Sequence, residues 1–130
     1  MAPECLRAWT IFVSLASLPF IVPHVLEDFA EGIAQRVGLS TSVGAALLGG
    51  FLALQSLGLV LVGQGRRAGF VVTFSVGLVW VAGALAEHMP ELITSRFRGG
   101  APSLLWLAGL IVTQAASSLL AGWSAWRRQG

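Results

Sequence analysis

The sequence predicts an all-α fold, an integral membrane bundle of four transmembrane helices. Three observations carry that reading. Of 130 residues, 55% are hydrophobic and 11% charged, against about 25% charged in soluble domains. So few charges cannot cover a surface that faces water. Four apolar windows each approach the roughly 20 residues that a helix needs to cross a bilayer core. The charges gather in the breaks between these windows.

Span one is expected at residues 8–26. The leader "MAPECLRAWTIFVSLASLPFIVP" resembles a signal peptide, but Glu4 sits in it and Pro19 and Pro23 interrupt the end of its apolar run. A retained first helix is therefore expected. Span two covers residues 42–62 and is rich in small residues; Gly44, Gly49, Gly50 and Gly58 let neighbouring backbones approach within the bundle or across a homo-oligomer contact. "GQGRR" turns the chain into span three at residues 68–86. "TSRFRGGAPS" then joins span three to span four at residues 103–123, its Gly-Gly and Pro102 marking a helix stop and restart. The length and even composition imply one domain, residues 1–130.

Four spans put both ends of the chain and the "GQGRR" turn on one side, with Arg7, Arg66, Arg67, Arg127 and Arg128. Arg36, Arg96 and Arg98 fall on the other. That bias orients both termini toward the cytoplasm of, by expectation, a bacterial inner membrane. Trp9, Trp123 and Trp126 then form an inner interfacial belt, with Trp80 and Trp106 deeper. The net charge of +2 comes from arginines spread singly or in pairs. It reflects topology and offers no face for nucleic acid. Cys5 is the single cysteine, which excludes an intrachain disulfide and a cysteine-based metal cluster.

The acids are strongly one-sided. Glu27, Asp28, Glu31, Glu87 and Glu91 fall on the outer side with both histidines, His24 and His88, and only Glu4 lies opposite. Pro23 lacks an N–H and clashes with the preceding turn, so span one is expected to kink or end there. A helical stretch beginning after it carries His24, Glu27, Asp28, Glu31 and Gln35 at offsets 0, 3, 4, 7 and 11. Those offsets make one face. Leu26, Phe29, Ala30, Ile33 and Val37 form the opposite stripe, as in a segment that lies at the interface or lines a cleft. "AEHMPELITSRF" supplies the second half, and His88-x-x-Glu91 matches His24-x-x-Glu27 as a faint internal repeat.

Imidazoles and carboxylates are ligands for zinc, iron or manganese. A carboxylate-bridged dimetal bundle places Glu-x-x-His on two helices and a lone Glu on two others. Here the order is reversed, and spans two and four offer only Gln55 and Gln114 as strongly polar groups. A mononuclear site using His24, His88 and some of Glu27, Asp28, Glu31, Glu87 and Glu91 fits better. Alternatively, His24 and His88 with Glu27 and Glu91 as carboxylate partners act as acid–base groups on a lipophilic small molecule, since desolvation at the boundary penalises their charged forms. Haem held by His24 and His88 is a further candidate, for which only Arg36, Arg96 and Arg98 offer propionate partners. The plain alternative is a solvated rim in which those arginines bridge the acids.

At "HVLEDF", His24, Glu27 and Phe29 resemble the small multi-span membrane family named for its HxxEE motif, with Asp28 where the second Glu is expected. The resemblance implies a small membrane protein and no particular chemistry. The His/acid arrangement is also similar to that of four-span sterol-isomerase-like membrane proteins, whose site uses acids and a histidine within the bundle. No Gly-x-Ser-x-Gly elbow occurs, and "GQGRRAG" lacks the strand that a phosphate loop needs. The expectation is a small membrane enzyme or metal-binding protein among membrane lipids. The competing class is an accessory subunit of a larger membrane complex or a small oligomeric transporter.

Overall fold

The computed structural model of the protein describes residues 2–127. Six helices account for nearly all of them: α1 Pro3–Ala16, α2 Leu18–Ala30, α3 Ile33–Arg36, α4 Thr41–Gly63, α5 Arg67–Thr94 and α6 Ala101–Arg127. No strand occurs among the described residues. α1 with α2, then α4, α5 and α6, are each long and apolar enough to cross a membrane. Each of the four expected windows falls inside one of these spans. Arg128, counted in the charge bias, lies outside the described residues.

The surface shows why the chain needs lipid. Phe12, Leu26, Val112 and Leu119 are all exposed on the bundle's flanks, where hydrocarbon is the compatible solvent. Trp9, Trp123 and Trp126 are exposed at one end, and the Arg127 guanidinium lies 4.9 Å from the Trp123 ring centroid.

α6 is the axis of packing, against α5 on one side and α1 and α2 on the other, while α4 leans mainly on α5. Ile21, Ala84, Leu107 and Leu110 form one buried cluster and Val62, Phe70 and Ala121 another. A polar seam runs through the bundle as well. The Trp80 indole donates to Gln55 Oε1 at 2.8 Å, and Gln55 Nε2 donates to Ser14 Oγ at 3.4 Å. Gln114 Nε2 donates to Ser17 Oγ at 2.8 Å. The two glutamines thus bond across helices, as buried amides in hydrocarbon must. At Gly77 the α5 backbone comes so near α6 that a Cβ would meet the Ser118 hydroxyl. At Gly69 one would sit 2.6 Å from the Leu61 carbonyl carbon.

Two local expectations are corrected. Span one does not end at Pro23: α2 runs through it to Ala30, and the interruption falls at Ser17. Pro19, near the start of α2, has no N–H for the Leu15 carbonyl, and the Ser17 hydroxyl folds back onto the Ser14 carbonyl at 2.6 Å. A lone Pro23 forfeits one hydrogen bond, which a well-packed span tolerates. Nor does one helical face run from His24 to Gln35. Gly32, at φ 78°, reverses the chain after α2, and α3 starts anew. Gln35 bonds to Thr41, beside the Ser40 cap that opens α4.

Candidate metal centre

α2 and α5 end side by side, and each carries polar residues into the bundle. His24 and Asp28 are one turn apart on α2 and share its inward face. His24 is buried, with Nε2 3.4 Å from Asp28 Oδ2. α5 continues past the expected end of span three, through Pro90 to Thr94. That continuation holds His88 on a regular helix, with Nε2 3.4 Å from Asp28 Oδ1. The two imidazole centroids are 4.9 Å apart and tilted by 54°. One carboxylate therefore lies beside both imidazoles.

The three donor atoms lie within 4.8 Å of one another. His88 Nε2 is buried and has no hydrogen-bond partner, with Asp28 Oδ1 at 3.4 Å as an ionic neighbour only. Orphaned buried polar atoms are uncommon, and this one lies within 4.8 Å of the other two donors. The opposite ring atom, His88 Nδ1, is 2.9 Å from Glu91 Oε2. A carboxylate on the far nitrogen of a ligating histidine fixes its tautomer and orientation.

The remaining acids surround this trio. Glu87 pairs with Arg36 at 2.6 Å. Glu31 pairs with Arg98 at 3.3 Å, and Glu91 Oε1 lies 3.9 Å from the same guanidinium. Arg96 joins no ion pair among the described residues. Glu27, expected as His24's partner, acts on it through charge only and accepts its hydrogen bond from Ser103 Oγ at 2.8 Å, at the first turn of α6. Periodicity puts residues 27 and 28 on the same broad face, and only helix rotation separates them. So the two halves of the faint repeat are not equivalent. His88 uses the acid three residues on, and His24 the acid four residues on.

Haem does not suit this pair. Its two axial rings stand on opposite sides of a macrocycle, whereas these imidazoles are in near contact. Nor is there a second metal's worth of ligands, since α4 and α6 contribute none.

A cavity of about 470 Å³ adjoins His24 and Asp28. His24, Asp28 and Glu87 line its polar end, with Ile33 of α3 beside them. Leu47, Leu48 and Phe51 of α4 and Val79, Trp80, Gly83 and Ala84 of α5 line the rest. Leu47 and Val79 are exposed to the flank, so the cavity opens sideways between α4 and α5. Phe51 and Trp80 meet edge to face at 5.3 Å and close its inner end. None of these apolar wall residues is distinguishable in the sequence from ordinary lipid-facing ones. Gln55 is the exception, a lone amide in an apolar span that marks where Trp80 is anchored.

No protein family, curated protein or solved structure matches this chain.

Proposed function

We propose that the protein is a membrane-embedded metal protein, an enzyme by inference, in which His24, Asp28 and His88 hold one divalent zinc or iron ion beside a cavity for a lipophilic substrate. The single observation that carries this is the convergence of two imidazoles and one carboxylate, of which His24 and Asp28 line the polar end of a largely apolar cavity. Two histidines and a carboxylate leave coordination positions open for water or substrate, in zinc hydrolytic sites and in non-haem iron oxygenases alike. Intramembrane ionisable groups default to function, because each is costly to place. Glu91 would orient His88, and the Arg36–Glu87 and Arg98–Glu31 pairs would neutralise the rim. We further assign it to a bacterial inner membrane with both termini cytoplasmic, which puts the centre near the outer face.

Elemental analysis of protein purified without chelators tests the assignment. About one zinc or iron per chain is expected, and Asp28→Ala, His24→Ala and His88→Ala should each lose it while remaining folded. A parent protein that holds no stoichiometric metal, even after incubation with either ion, overturns it. A metal-free acid–base role for the His88–Glu91 pair, favoured by its 2.9 Å contact, would then stand in its place. A subunit role has one observation in its favour. α4 is the least buried span, and nothing lies within 4 Å of a Cβ at Gly49 or Gly50.

A further inference from the structure

We infer that the cavity's ligand is a single-chain lipid with a carboxylate head group, which enters sideways from the bilayer and lies along α5 with its head at the centre. This rests on the metal reading for the head group and on the cavity alone for the chain.

The shape of the cavity selects one chain. Its α5 wall runs from Glu87 to Val79, a rise of about 12 Å. The volume of about 470 Å³ lies in the range of sites that enclose one small ligand, about 300–1,000 Å³. A two-chain phospholipid with its head group is larger than that space. The polar residues stand at one end only, so the ligand is polar at one end only. Exposed Leu47 and Val79 flank the opening, and a chain already in the membrane loses little by sliding between them. The inner end is firm because the Trp80 indole is hydrogen-bonded to Gln55, which is itself bonded to Ser14.

Charge selects the head. Two neutral imidazoles and one carboxylate leave a divalent ion with one positive charge in excess. In a low-dielectric site that excess favours an anionic oxygen donor over a neutral one and disfavours an amine. Glu87 also lines that end, and Arg36 balances its charge at 2.6 Å, so the excess charge there is the ion's.

Gly83 is where the cavity can be closed without touching the centre. It lines the space, and a Cβ there meets nothing within 4 Å. Gly83→Leu fills the middle of the cavity. Gly49→Leu adds the same bulk to an open face of α4 that is not part of the lining.

The test uses the full chain in nanodiscs of two-chain lipid, free of single-chain detergent. A decanoate analogue carrying a diazirine, whose extended chain matches the length of about 12 Å along α5, is photolysed, and the labelled peptides are mapped. Labelling is expected on the peptides containing Phe51 and Val79 to Ala84. It should fall at least tenfold in Gly83→Leu and be unchanged in Gly49→Leu, with the metal content of both variants equal to the parent's. Excess decanoate should compete, decanol should compete less well, and decylamine should not. Labelling spread over flanking residues such as Phe12 and Leu119, and indifferent to Gly83→Leu, overturns the cavity as the chain's site. Competition led by the amine overturns the carboxylate head. Loss of the metal reading alone would leave the chain-mapping result standing, so the two failures are distinguishable.

Discussion

At the scale of single residues, the acids divide into those that serve the histidines and those that serve the frame. Glu91 touches His88 on the side away from the trio, whereas Glu27 ties α2 to the start of α6 through Ser103. Their substitutions should separate cleanly. Glu91→Gln should weaken metal binding about 10–100-fold, the usual cost of losing such a supporting carboxylate, with little change in thermal stability. Glu27→Ala should leave metal affinity within about twofold and cost about 1 kcal/mol of stability. Chelator competition reads the first quantity and thermal unfolding in nanodiscs the second. Equal effects on metal affinity would mean that Glu27 belongs to the centre after all. The sequence could not make this division. Residues 27 and 28 both follow His24 by about one turn, and which of them faces α5 depends on helix rotation set by Ile21, Phe20 and Val25 in the core.

At the scale of elements, the four spans were legible because hydrocarbon demands long apolar helices and little else does. The ends were less so. Apolar windows stop at the first charge, yet α5 carries Glu87, His88 and Glu91 without a break, since their neighbours supply partners. Pro23 read as a kink or an end, and the helix does not end there, while Ser17, an ordinary residue in sequence, marks the interruption. Small residues in span two read alike but behave differently. Gly44 and Gly58 meet neighbours at 2.9 and 3.0 Å, whereas Gly49 and Gly50 meet none. The tightest approach to backbone is at Gly69, where a Cβ would meet α4 main chain that cannot rotate away. Gly69→Ala is expected to destabilise by about 1–3 kcal/mol, as overpacking does. Gly49→Ala should be neutral or stabilising by about 0.5 kcal/mol, because alanine loses less backbone freedom in a helix. Thermal or denaturant unfolding of both variants in one detergent checks the contrast. A destabilised Gly49→Ala would instead point to a helix partner on that open face.

At the scale of the whole molecule, the proposed orientation has a built-in reporter. Cys5 is free and exposed at the start of α1, at the end opposite the centre. With both termini cytoplasmic, a membrane-impermeant thiol reagent should label Cys5 in inverted vesicles and spare it in right-side-out ones. In the same two preparations, an impermeant chelator should strip the metal only where Cys5 is protected. Chelation and labelling on the same face would refute the topology.

That paired result follows from how the bundle distributes its charge. No ionisable side chain occurs within residues 41–63, 68–86 or 101–126, or in span one before His24 as far as residue 8. Below the centre there are only amides, hydroxyls and an indole. The centre is thus a dead end for ions. It has one watery door, at the Arg36 and Arg98 rim, and one oily door, between α4 and α5. On the proposed metal reading, an ion would arrive from one compartment and return to it, and a hydrophobic guest would come and go through the side.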